Sequence, residues 1–199
     1  MDIDWLDLSS TLGLIATGML TFNLLLGMLL SSAYRRSPYW KRLPSLLKKV
    51  SVDDLHNWTA YVALALALAH PLLLLPDAAS KFRLRDILYP VNAPHQALWV
   101  IPGVLALYAL VAVIVTTQKP VKKVMGFRAW KNVHLVSYVT ALLFVVHGIV
   151  MDPELKDRPV DWLDAEKVMS EVCGLILIAA TLVRYRYYIR HRKPPPRTA

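Results

Sequence analysis

Apolar residues come in long blocks along this chain. Five are prominent: Leu12–Ala33, Leu55–Leu75, Ala97–Thr117, Val133–Met151 and Val168–Ile189. Each is close to the ~20 residues an α-helix needs to cross a hydrocarbon core of about 30 Å. Lipid offers the backbone no hydrogen bonds, so blocks of this kind are predicted to be helices that pair their amides internally. The expected fold is an all-α membrane protein, a bundle of five transmembrane helices in a cell (inner or plasma) membrane. Residues 1–192 read as one domain and residues 193–199 as a stiff, Pro-rich basic tail.

Composition agrees, since 56% hydrophobic content over 199 residues is too apolar for an ordinary soluble domain. Charge then orients the bundle. The stretches 34–54, 118–132 and 184 onward hold 17 of the 23 Lys and Arg but only two acids, Asp53 and Asp54. The remaining connections and the N-terminal segment hold 6 bases and 12 acids. The positive-inside bias places the basic stretches in the cytoplasm, giving an outer N-terminus and a cytoplasmic C-terminus. The net charge of +9 thus needs no nucleic acid to explain it, and the expected partner is membrane lipid. No secretory signal is read in the first ten residues, which are acidic and lack a basic leader. Trp5, Trp58, Trp99, Trp130 and Trp162 fall near span ends and read as interfacial anchors.

Against this background four histidines stand out. His56 and His70 lie fourteen residues apart in the second block, His134 and His147 thirteen apart at the fourth. At 1.5 Å per residue the members of each set are separated by roughly 21 Å and 19.5 Å, placing one imidazole near each edge of the apolar core. Both blocks run outward from a basic loop, so His56 and His134 share an inner level and His70 and His147 an outer one. Paired imidazoles at two levels suit two b-type haems and one-electron chemistry across a bilayer. One detail resists: thirteen residues fall about 140° short of whole turns on an ideal helix. Tilt, overwinding or side-chain reach must close that gap, or one of His134 and His147 is not a ligand. His95 and His191 read as solvated.

Arg128 and Lys131, shortly before His134, are candidates for inner haem propionates, and Arg83 and Arg85 for outer propionates or an anionic acceptor. Gly13, Gly18 and Gly27, with the alanines at 63, 65, 67 and 69, allow close approach of helices or a flat macrocycle, helix packing being the simpler cause. The single Cys173 excludes an intrachain disulfide, a Cys-x-x-Cys-His haem attachment and a cysteine-held iron–sulfur cluster built by this chain alone; it is expected to pack. No Gly-x-Gly-x-x-Gly segment or P-loop is present, so flavin and nicotinamide binding is not expected here. A separate electron donor, a soluble reductase or quinol, is implied.

The segment Gly126-Phe127-Arg128-Ala129-Trp130-Lys131-Asn132-Val133-His134-Leu135-Val136-Ser137-Tyr138, followed by His147, resembles the ferric reductase-like transmembrane domain. That domain is shared by NADPH oxidases, ferric reductases and the haem subunit of periplasmic methionine sulfoxide reductase. The resemblance extends over roughly Leu12 to Arg186 and implies His56, His70, His134 and His147 as axial ligands of two haems. It departs from the oxidases in lacking a further N-terminal span and a flavin and NADPH domain, so self-sufficient reductase activity does not carry over. It departs from the methionine sulfoxide reductase subunit in having His56. The expected function is transmembrane electron transfer to an acceptor on the outer side, as an oxidoreductase or a subunit of one. The alternatives are a mono-haem membrane subunit of a periplasmic reductase system and a non-redox scaffold or haem-handling protein.

Overall fold

The computed structural model describes residues 4–32, 34–42, 44–156, 158–159 and 167–191, so the Pro-rich tail and Trp162 lie outside the described residues. Helix α1 spans Trp5–Leu30. It starts ahead of its apolar block because the Asp4 carboxylate caps it, accepting the N–H of Leu6 at 3.1 Å and of Asp7 at 3.0 Å. The basic loop that follows carries two single turns, α2 (Pro38–Arg42) and α3 (Ser45–Lys48). Helix α4 (Val52–Leu72) opens on Ser51, whose hydroxyl accepts the Asp54 N–H at 3.2 Å. Asp53 and Asp54 in its first turn suit the positive end of the helix dipole. After the short α5 (Leu84–Leu88) come α6 (Ala97–Thr117), α7 (Lys119–Val150) and α8 (Val168–His191).

Only α6 coincides with its apolar block. Helix α7 begins well before Val133, because the Lys-rich segment ahead of that block is helical too and is set off by a break at Gly126, φ 76° and ψ 161°. That break folds the first turns back. Lys122 Nζ lies 3.7 Å from the centre of the Trp130 ring, whereas eight residues of straight helix would put about 12 Å of rise between them.

Four helices, α1, α6, α7 and α8, are long and apolar enough to cross a membrane. Helix α4 has the length but carries Asp53, Asp54, His56, Asn57, Thr59 and His70, which lower its apolarity. The bundle is sorted as lipid demands. Ser9, Thr17, Thr21, Thr59, Thr140 and Ser170 are buried, while Leu98, Leu105, Leu142, Leu175, Ile178 and Val183 face outward. A fold in water would reverse that order. The chain is a multi-pass, all-helical membrane protein, and no strand occurs among the described residues.

Two helix pairs make the main contacts, α1 with α4 and α6 with α7, while α8 leans on α1 and α7. Ala16, Ala63 and Ala67 are almost fully buried at the first seam, where small side chains let the backbones approach. Cys173 packs with Ala141, Val145 and Leu177, as expected of a small core residue. Helices α4 and α7, which carry the four histidines, barely touch each other.

The Gly126 conformation lies where only glycine is comfortable, yet an added Cβ would meet nothing within 4 Å. Gly126→Ala should therefore destabilise through the backbone alone, by about 1–3 kcal/mol. Unfolding midpoints in mixed detergent micelles measure this, and an unchanged midpoint would refute the strained turn.

Candidate functional site

Helix α4 runs antiparallel to α1, so that His70 lies over Gly13 and His56 over Gly27. A Cβ on Gly13 would come within 3.0 Å of the His70 ring, one on Gly27 within 3.2 Å of His56, and one on Gly103 of α6 within 2.8 Å of His147. Each of these rings reaches a main-chain oxygen just beyond its glycine. His70 Nδ1 donates to the Ser9 carbonyl at 2.7 Å, His56 Nδ1 to Asn23 at 3.1 Å and His147 Nδ1 to Trp99 at 2.8 Å.

In all three cases the accepting carbonyl belongs to residue i and the glycine is residue i+4. A helix carbonyl points toward the amide four residues on, where a side chain would shield it. Glycine at that position leaves the oxygen open to a second donor. On α1 the Ser9/Gly13 and Asn23/Gly27 sets stand fourteen residues apart, the same interval as His56 and His70. Ser9 adds a second tie through its hydroxyl, which donates to the His70 carbonyl at 2.8 Å.

Across the bundle the rings meet in twos. His56 and His134 have ring centres 6.2 Å apart, and His70 and His147 6.3 Å apart. The interplanar angles are 77° and 72°. The thirteen-residue interval on α7 is absorbed by side-chain direction, since His147 turns onto α6 over Gly103 while His134 stays on its own helix beneath Trp130. Two imidazoles bound on opposite sides of one metal, with bonds of about 2.0–2.1 Å and about 1.1 Å from nitrogen to ring centre, would have centres about 6.3 Å apart. With Nδ1 donating to a carbonyl, Nε2 keeps its lone pair for such a bond. No group of three or more His, Cys, Asp or Glu that could hold a metal ion gathers among the described residues.

His134 is the exception. Its Nδ1 is buried without a partner among the described residues, and its ring stacks on Trp130 at 5.3 Å, the Lys122 Nζ lying 3.7 Å from the centre of that same indole. Arg128 and Lys131 are exposed at this basic end.

At the other end, His70 and His147 open into a chamber of about 1200 Å³ including its mouth. Its walls come from all five long helices, from Ile87 of α5 and from Phe82 and Leu155 of the connecting loops. Arg83 and Arg85 do not line it: both are exposed, and Arg85 pairs with Asp86 at 3.5 Å. The cation that does line it is Lys167, 4% exposed, joined by Ser170 at 0%. Sequence reading missed both, because a lysine between two acidic loop positions and a transmembrane block carries no pattern. His95, expected to be solvated, is half-buried. Asp152 forms part of the rim, where Arg158 grips it through Nε at 2.8 Å and Nη2 at 2.7 Å, and its own N–H donates to Gln96 Oε1 at 2.9 Å.

Comparison with known families finds one match: the family described as the ferric reductase like transmembrane component matches residues 12–145, more than half of the chain. No curated protein and no solved structure matches it.

The Arg158 hydrogen bonds hold the Asp152 carboxyl down to about 2. A carboxyl depressed by folding stabilises fully above its ordinary value of about 3.9 and loses that contribution as pH falls toward 2. The unfolding midpoint in detergent should drop between about pH 4 and 2, and Arg158→Gln should flatten that part of the curve. Parallel curves for the two proteins would show that the rim does not depend on this contact.

Proposed function

The chain belongs to the ferric reductase-like transmembrane family, and on that footing we propose that it is a bis-haem b electron-transfer protein. His56 and His134 hold the inner haem and His70 and His147 the outer one. The observation that carries this reading is the matched 6.2 and 6.3 Å separation of the two imidazole pairs, with three Nδ1 atoms committed to helix carbonyls. When bound, haem supplies one-electron exchange between ferric and ferrous iron. The chain's own residues do the rest: they fix ring direction and tautomer, keep the two levels apart, and line the outer level with apolar side chains that exclude water.

Helix α4 is the fifth span in this reading. It lies beside α1 over the whole interval from Gly27 to Gly13, so it crosses the same depth, and His56, Thr59 and His70 face α1 rather than lipid, while Asp53, Asp54 and Asn57 are exposed near its first turns. The basic end is cytoplasmic by charge, with the N-terminus outside and the C-terminus inside. Electrons enter there from a soluble reductase or from quinol in the membrane and leave to an acceptor on the outer side. The membrane is the cell (inner or plasma) membrane. Arg128 and Lys131 lie at the inner end where propionates need cations, and Arg83 and Arg85 are left to attract an anionic acceptor to the outer surface.

Purified protein should contain two haems per chain by pyridine haemochrome. His70→Ala and His147→Ala should remove the same spectral component, and the double variant no more than either one. Gly103→Ala, whose Cβ overlaps the His147 ring, should weaken that component and leave the other intact. A single haem per chain would favour the mono-haem alternative, and none would favour a scaffold.

A further inference from the structure

The connection between α4 and α6 counts as an outer loop by charge, yet it exposes apolar surface. In α5, Leu84 and Leu88 stand one turn apart and are both more than half exposed, and so are Tyr89 and Val91 just after it. The other side of α5 is turned inward. Asp86 and Ile87 are buried, and Ile87 lines the chamber of His70 and His147. Asp86, the acid of this turn, is satisfied there: it accepts the Arg83 N–H at 2.9 Å and lies 3.5 Å from Arg85 Nε. The exposed side therefore carries apolar side chains flanked by two arginines, whose aliphatic stems can lie along apolar surface while the charged ends reach a headgroup layer.

Two contacts fix the depth of this side. Helix α6, at 21 residues, is about 30 Å long, the thickness of the hydrocarbon core. Tyr108 sits well inside it, about 16 Å of rise below Ala97. Its hydroxyl donates to the Leu88 carbonyl at the end of α5. A helical side chain leans toward the N-terminus, but one phenol and one hydrogen bond cannot recover all of that rise. Phe82, just ahead of α5, packs on Val100 and Val104 in the first two turns of α6. Both ends of α5 thus lie below the start of α6. On α6 the residues Leu98, Leu105 and Tyr108 are exposed along one side, and the Tyr108 bond joins that lipid-facing stripe to Leu88 without a break. We propose that residues 84–91 lie inside the leaflet at the acidic end, with their exposed side chains against lipid acyl chains, and that α5 is the wall between those chains and the histidine chamber. Tyr108 holds the segment at this depth. A soluble partner would have to enter the leaflet to reach these leucines.

Nitroxide labels on full-length protein in liposomes test this, with Cys173→Ala removing the native thiol. Oxygen concentrates among acyl chains and a polar nickel chelate stays in water, so their collisions with a label report what surrounds it. Labels at Leu84→Cys and Leu88→Cys should lose nickel collisions to the level of a label at Leu105→Cys on the lipid face of α6, and should keep oxygen collisions. A label at Lys156→Cys, in the connection before α8, should keep its nickel collisions. Tyr108→Phe should raise nickel collisions at position 88 and leave those at 105 unchanged. Nickel collisions at 84 and 88 that match position 156 would overturn the proposal by placing the segment in water. Loss of both kinds of collision would overturn it as well, because a second copy or another protein would then cover the leucines. A label at 88 that Tyr108→Phe does not move overturns the argument from depth. Both leucines are exposed, so either cysteine leaves the packing intact, and position 84 decides the matter where the variant at 88 fails to insert.

Discussion

A histidine ring nitrogen donating to a helix carbonyl past a glycine is the contact on which this bundle turns. Its ingredients are minimal: an imidazole on one helix, and on the next a residue i whose oxygen is left open because residue i+4 has no side chain. It appears at His70 over Ser9 and Gly13, at His56 over Asn23 and Gly27, and at His147 over Trp99 and Gly103. Each instance decides two things together. It brings neighbouring backbones close enough for an alanine seam such as Ala16–Ala63–Ala67, and it fixes which ring nitrogen carries the proton. Helix packing and site chemistry are thus set by the same atoms.

Much of this could be read from residue order, and what could not has identifiable causes. Block length and charge asymmetry marked the apolar helices, and the residues at 56, 70, 134 and 147 marked the site. The two levels found in the structure join the histidines that two helices running in the same direction require. Helix limits were less legible. Asp4 extends α1 through a local cap, and α7 begins early because the Lys-rich segment ahead of the Gly126 break is helical too, which hydropathy does not register. The thirteen-residue interval looked like an obstacle because an ideal helix wheel ignores where a side chain points; the bond from His147 to Trp99 supplies the missing angle. The fourteen-residue echo of Ser9/Gly13 in Asn23/Gly27 was present in the sequence all along. It becomes informative only when set against the equal interval on α4, in reverse direction.

The two ends of the bundle are built differently. At the acidic end Phe82, Val100, Val104 and Leu155 form an apolar cap, and Asp152 with Arg158 ties the rim. At the basic end the indole of Trp130 carries both contacts, with the Lys122 Nζ 3.7 Å from its centre and the His134 ring stacked at 5.3 Å. A cation over an indole is attracted by the ring quadrupole. One aromatic ring thus joins the basic segment before Gly126 to the imidazole that no helix carbonyl holds.

The unpartnered Nδ1 of His134 also sets the two ends of the bundle apart in freedom. At the acidic end His70 and His147 are both held in direction by a helix carbonyl. At the basic end only His56 is held so, and the His134 ring keeps a freedom that any interaction orienting it must remove. The fold has thus already met the entropic cost of ordering one imidazole pair and only half of that cost for the other.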